Sequence, residues 1–156
     1  MKAASISIVK KELGMLPPKE VLEICMRLAR YKKENKELLS YLLFEANDEQ
    51  QYIMSVKHEI DAQFAEINRS TMYYIKKSIR KILRTTQKYI RYSGIRRTEV
   101  ELLIYFCTKL KTSGISISSS TALSNLYQAQ ILKTRKALST MHEDLQYDYE
   151  QELKAL

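Results

Sequence analysis

The chain of 156 residues has few of the residues that turns and disulfide scaffolds need: three glycines, two prolines, two cysteines and no tryptophan. Three glycines are too few for the turns of a β-sandwich or barrel, or for a glycine-rich phosphate loop. Cys25 and Cys107 are too far apart in sequence to indicate a disulfide framework or a zinc site. Because both fall within apolar helical patterns, we expect buried thiols in a reducing compartment.

Long apolar runs are also missing. The longest, Leu102 to Cys107, is far shorter than the roughly 20 residues that cross a bilayer. The apolar part of residues 1–9 is too short for a secretory signal, and no small-residue cleavage site follows it. We therefore expect no membrane insertion and a cytoplasmic location.

The composition that remains is 45% hydrophobic and 28% charged, as in a globular protein. A chain of this length corresponds to about one domain of roughly 150 residues. Apolar residues recur every three or four positions, which predicts an all-α fold. We expect one domain over residues 1–156, a compact bundle of seven to eight helices, with stacked helical hairpins as the alternative arrangement.

Two of the predicted helices are apolar nearly all round and should be central. The first covers about Glu34–Ala46. The second, the sixth helix, starts at a capping box formed by Thr98 and Glu101. Between them, a fourth helix carries one clean apolar stripe from Ile53 to Ile67.

Caps and breaks divide the other helices. Gly14, followed by two prolines, should end the first helix near Leu13. Asn47 should cap the fourth helix. Ser70 should cap a fifth helix that ends at Gly94.

Acidic residues are absent between Ile67 and Thr98, where ten basic residues fall. The rest of the chain holds sixteen basic and eighteen acidic residues, so the formal net charge of +8 comes from this stretch. On the fifth helix, an apolar stripe that includes Ile79, Ile82 and Ile90 should face the core. The cations fall on the opposite side and form what we call the basic ridge: Lys76, Lys77, Arg80, Lys81, Arg84, Lys88 and Arg91.

Tyr73 joins the same face, and Arg96 and Arg97 follow shortly after the helix. Together with the ridge they are the candidate anion- or partner-binding residues. We interpret the chain as a non-enzymatic protein-interaction or scaffold module. Its partner would be an acidic protein or a second copy of the chain, with a homodimer as one form. The alternative is a nucleic-acid-binding protein that contacts phosphates without reading sequence, and a merely solvated helix face is a third interpretation.

Signs of catalysis are missing. His58 and His142 are the only histidines, and neither has a partner at metal-binding spacing. H-E-x-x-H and G-x-S-x-G motifs do not occur. We therefore predict no catalytic residues, metal or cofactor, and expect both histidines at the surface.

The stretch from Leu13 through the two prolines to Leu39, within about residues 10–45, resembles small bacterial helical proteins of unknown function. The likeness consists of a leucine–proline break, a leucine-rich helix and a lysine-rich turn. It implies a bacterial, cytoplasmic, all-α protein and no particular activity.

Overall fold

A computed structural model describes residues 2–156 and confirms the all-α fold, with eight α-helices and no strand in this part of the chain. A π-helical turn at Tyr41–Glu45 and a short 3-10 helix at Ile117–Ser119 complete the elements. The helices are α1 Ile6–Met15, α2 Pro18–Tyr31, α3 Lys33–Ser40, α4 Glu49–Ala65, α5 Met72–Ser93, α6 Arg96–Thr112, α7 Thr121–Leu138 and α8 Glu143–Lys154.

The chain divides into two compact units, one ending at Phe44 and one covering Glu45–Leu156. The first unit holds α1 to α3, and the second holds α4 to α8. The single domain expected over residues 1–156 stays a prediction.

Helix α6 is the centre of the larger unit, as the sequence predicted. It packs on α4, α5, α7 and α8. Its side chains at Val100, Leu103, Phe106 and Leu110 are fully buried. These four neighbours cover most of the helix surface, and the exposed or half-exposed Arg97, Glu101 and Tyr105 mark the side that faces solvent.

Helices α4 and α5 bury the stripes that their sequences predict. On α4, Ile53, Val56, Ile60 and Phe64 are buried, and the Phe64 ring lies 5.9 Å from the Phe106 ring of α6. Both α4 and α5 pack on α6 and on each other. Each helix therefore has one face fixed towards the core and the opposite face turned to solvent.

The predicted central position of the third helix is wrong. Leu42, Leu43 and Phe44 are more than half exposed, and Phe44 reaches 78%. The α-helix ends at Ser40, and the π-helical turn carries these side chains. Within the first unit α3 packs on α2, and one neighbouring helix cannot cover an apolar surface that runs all round.

Three predicted helix boundaries are also wrong. Gly14 lies inside α1, which ends at Met15, where the extended backbone of Leu16 leads into the two prolines. Asp48 caps α4, because its carboxylate accepts from the Gln51 N–H at 3.0 Å. Thr71 caps α5, because its hydroxyl accepts from the Tyr74 N–H at 3.4 Å.

The sixth helix starts three residues earlier than the capping box predicted. Gly94 has a φ of 68°, the left-handed conformation of a C-terminal cap, and so ends α5 as expected. Ile95 is extended, and α6 begins directly at Arg96. Thr98 therefore lies within the helix, fully buried, and its hydroxyl donates to the Glu49 carboxylate.

The two cysteines lie in different environments. Cys107 is fully buried, and burial raises the pKa of its thiol to about 12. Cys25, which we expected to be buried, is half-buried, because it lies in an open groove between α2 and α3. His58 is exposed on α4, as predicted, and the exposed His142 caps α8.

We expect truncation of Leu102 to destabilise the larger unit strongly. Leu102 is fully buried on α6, so Leu102→Ala should lower the free energy of unfolding by about 2–5 kcal/mol. The matched control is Leu132→Ala on α7, where the side chain is 66% exposed and the change should stay within about 0.5 kcal/mol. Urea denaturation followed by circular dichroism measures both, and equal losses would contradict the central position of α6.

Candidate functional site

Helix α5 is held firmly at both ends. The Thr71 hydroxyl caps its first turn, and at its last turn the Gly94 N–H donates to the Ile90 carbonyl at 2.9 Å. Its 22 residues give a length of about 33 Å at 1.5 Å per residue. The helix is therefore a well-terminated support for the side chains on its outer face.

The inner face of α5 determines the direction of the outer one. Its buried side chains are Ile79, Ile82, Leu83, Thr86 and Ile90. The Thr86 hydroxyl has no need of an external partner, because it donates to the Ile82 carbonyl at 3.0 Å. With this stripe turned to the core formed with α4 and α6, the cations must face away from the core.

The basic ridge occurs as predicted on the outer face. Lys76 and Lys88 are half-exposed, and the other five cations are exposed. Lys88 aside, the ridge has six cations. None of these six forms an ion pair with a carboxylate of residues 2–156. These six side chains are therefore a row of charges that the described residues leave uncompensated: Lys76, Lys77, Arg80, Lys81, Arg84 and Arg91.

The two ends of the ridge have aromatic neighbours. The Lys88 ammonium lies 5.0 Å from the Tyr89 ring centroid and 5.9 Å from that of Tyr92, within cation–π distance. At the other end, Tyr73 is 65% exposed and packs edge-on against Tyr74, with ring centroids 5.3 Å apart. Tyr73 thus offers an open aromatic face beside the cations.

An open groove of about 460 Å³ runs along the N-terminal half of the ridge. Leu83 lies at its buried side, and Gln87 lies at its far end. The Gln87 amide donates to the Gln130 side-chain oxygen on α7 at 3.3 Å, which fixes that end. The groove is lined by Tyr73, Lys76, Lys77, Arg80, Leu83, Arg84 and Gln87.

Arg96 and Arg97 differ from the six unpaired ridge cations in their ion pairs. They lie in the first turn of α6 and already have carboxylate partners. Arg96 Nη1 lies 2.6 Å from Glu99 Oε2, and Arg97 Nε lies 3.0 Å from Glu101 Oε1. These pairs offset the unfavourable position of two cations at a helix N-terminus.

Glu101 is the centre of a polar cluster that the sequence did not reveal. Its carboxylate accepts from Lys57 Nζ at 3.2 Å and from the Tyr149 hydroxyl at 2.8 Å, in addition to Arg97. Burial alone would raise the pKa of Glu101, but the hydrogen bonds from Tyr149, Arg97 and Lys57 outweigh it and lower that pKa. Lys57 and Tyr149 lie on α4 and α8, far away in sequence, and no local pattern connects them to Glu101.

A second polar cluster joins α4 to α6. The Tyr105 hydroxyl lies 2.8 Å from both carboxylate oxygens of Asp61, and Lys109 Nζ lies 2.8 Å from one of them. Burial and the Asp61 hydrogen bond raise the pKa of Tyr105. Glu101 and Tyr105, one from each cluster, line an open cleft of about 480 Å³. The polar groups of both clusters satisfy one another, which is typical of interactions that fix helix positions.

Two other kinds of site are absent from residues 2–156. This part of the chain has no group of three histidine, cysteine, aspartate or glutamate side chains able to hold a metal ion. None of its helices combines the length and apolar character required to cross a bilayer.

Comparisons with protein-family models, with curated proteins and with solved structures find no match to this chain.

We expect the Glu101 cluster to stabilise the fold in a pH-dependent way. Glu101→Gln should lower the free energy of unfolding by about 1–3 kcal/mol at pH 7, because charged hydrogen bonds to Lys57, Arg97 and Tyr149 are lost. A lowered carboxyl pKa gives stability that is present above the ordinary value and is lost as pH falls through the folded one. The difference between wild type and variant should therefore shrink below about pH 4.

Urea titrations at pH 3 to 8 measure this difference. Glu150→Gln, on the exposed side of α8, is the control that should change stability little at any pH. A difference in the free energy of unfolding between wild type and Glu101→Gln that stays constant down to pH 3 would contradict the role assigned to Glu101.

Proposed function

We propose that this chain is a non-enzymatic interaction module that docks an acidic protein surface on the basic ridge. The observation that carries the proposal is the row of six uncompensated cations along one outer face of α5. Such a row has a strong positive potential, which speeds the approach of an anionic partner and favours it over neutral ones.

The groove beside the ridge supports a protein partner. Tyrosine and arginine are among the residues that dominate binding energy at protein interfaces, and Tyr73, Arg80 and Arg84 line this groove together. Carboxylates of a partner can pair with the two guanidinium groups in the two-pronged geometry that arginine favours. The groove is open to solvent, as expected for a docking surface more than for a small-molecule pocket.

The character of the polar clusters supports the non-enzymatic part of the proposal. Catalytic acids and bases need a proton or lone pair available to substrate. Glu101 and Asp61 instead use their oxygens for hydrogen bonds and ion pairs with neighbouring helices. With a pKa of about 12, the Cys107 thiol stays protonated at neutral pH and is a poor nucleophile.

We also propose a cytoplasmic location. Cys25 and Cys107 are both free thiols, and free thiols are typical of reducing compartments.

A nucleic-acid backbone is the second candidate partner, and the spacing of the ridge favours it. From Lys76 to Arg91 every turn of the helix carries one or two cations, over about 22 Å at 1.5 Å per residue. Regular cations without interleaved acids suit a row of phosphates, and the open ring of Tyr73 can stack on an unpaired base.

Removal of four ridge cations separates these candidates. The variant is Lys77→Gln, Arg80→Gln, Lys81→Gln and Arg84→Gln, and fluorescence anisotropy measures binding across a salt series. The probes are a labelled glutamate-rich peptide, a labelled duplex DNA and a labelled single-stranded RNA. We expect wild type to bind the peptide at low salt and the variant to lose that binding.

The matched control removes the same number of lysines and arginines elsewhere: Lys10→Gln, Lys19→Gln, Arg27→Gln and Arg135→Gln, all of them exposed. It should bind as wild type does. A different outcome is that wild type binds DNA with an affinity that falls steeply with salt. If the slope of log binding constant against log salt concentration is smaller in magnitude by about 3 to 4 in the ridge variant, nucleic acid is the partner. Absence of binding to all three probes at low salt, or equal losses in both variants, would refute a docking role for the ridge.

A further inference from the structure

The first unit exposes far more apolar surface than the rest of the chain. Of the twenty large hydrophobic side chains that are exposed in the described residues, thirteen lie in residues 2–44. Helices α1, α2 and α3 contain no fully buried residue. A helix pair with an amphipathic sequence normally buries its apolar face against another layer, and in this unit that layer is missing.

The apolar surface contains a shaped groove. The groove has a volume of about 240 Å³ and lies between α2 and α3. Asn35 is the polar residue in its lining. Its side-chain amide already donates to the Leu28 carbonyl at 2.8 Å. The remaining lining is apolar: Cys25, Leu28, Ala29, Leu38, Leu39 and Leu42.

The sequence of α2 is suited to two helical neighbours. At about 100° per residue, its apolar positions from Val21 to Ala29 cover an arc of roughly 200°, about twice the stripe that a single contact requires. Helix α3 takes one part of that arc. The side chains that remain exposed are Ile24 and Leu28 on one edge, and Leu22 and Met26 on the other.

We propose that the α2–α3 hairpin is a self-association surface that packs on the same hairpin of a second copy. The charges of the hairpin favour this occupant over an anionic or cationic partner. Pro18–Ser40 holds six basic and four acidic residues, so two copies bring both signs to the rim and repel each other little. Four helices packed in this way form a bundle with a shared apolar core.

The exposed area on the groove side of the hairpin suits a weak dimer. A standard interface covers about 800 Å² per partner, of which roughly 450 Å² is apolar. The groove side of the hairpin presents on the order of 300 Å² of apolar surface at the observed exposures, which suits a weak interface below the standard size. The side chains concerned are Ile24, Leu28, Leu38 and Leu42.

Polar substitutions in the groove test the proposal without disturbing a core. Leu28 and Leu42 are both more than half exposed, so Leu28→Gln with Leu42→Gln should leave the helix content unchanged in circular dichroism. Sedimentation equilibrium from about 1 to 100 μM should show a dimer for wild type. Since each dimer loses four leucines from its interface, the dissociation constant of the double variant should rise roughly 100-fold or more.

The control is Met54→Gln with Leu132→Gln, two exposed apolar positions on α4 and α7, and it should dimerise as wild type does. Alkylation provides a second readout, because Cys25 should react more slowly as the wild-type concentration rises, whereas buried Cys107 stays unreactive. A wild type that is monomeric at 100 μM would overturn the proposal and leave the groove to a different protein. A dimer that the double variant does not weaken would overturn it as well.

The ridge variant with four glutamine substitutions tests self-association independently of binding at the ridge. Its substitutions lie on α5 and leave the hairpin untouched, so it should dimerise normally even if it binds no probe. A ridge variant that fails to dimerise would place self-association on α5 and overturn the assignment to the hairpin.

Discussion

Burial of the broad apolar surface of α6 is the constraint on which the larger unit depends. Leu102, Phe106, Leu103 and Val100 spread over roughly 160° of the helix circumference at about 100° per residue, and all are fully buried. Water must therefore be excluded from most of the helix surface, and α4, α5, α7 and α8 are the neighbours that exclude it. Each neighbour contributes one apolar stripe and turns its opposite face to solvent. The position of the basic ridge follows from this core, because the direction of the α5 isoleucines determines the direction of its cations.

Elements with one dominant periodicity could be predicted from sequence. The α4 stripe, the α5 stripe and the left-handed Gly94 cap are local features, and the structure confirms each one. The burial of the α3 region was less predictable. An apolar pattern that runs all round a helix indicates that the helix needs neighbours, but it does not show which elements cover it. Leu42 and Phe44 have the same hydrophobicity as residues of α6 and end in the opposite environment.

The start of α6 shows why local capping rules can fail. Thr98 and Glu101 have the spacing of a capping box, yet both side chains are engaged in tertiary contacts, with Glu49 and with Lys57 and Tyr149. The cap of α5 at Gly94 leaves a single extended residue before the next helix, so that α6 must begin at Arg96. The candidate site was predictable at the level of the ridge, whereas the Glu101 cluster depends on residues that only folding brings together.

The two candidate interaction surfaces differ in physical type, and salt acts on them in opposite directions. Contacts to the basic ridge depend on exposed charges, which added salt screens within about 10 Å at 0.1 M ionic strength. Packing of the α2–α3 hairpin depends on apolar surface, and salts such as sulfate strengthen its burial. Under the two proposals, one surface would hold a second copy of the chain and the other an anionic partner. Two ridges in one assembly would then raise the effective concentration of binding sites for a long polyanion or a repeated acidic surface.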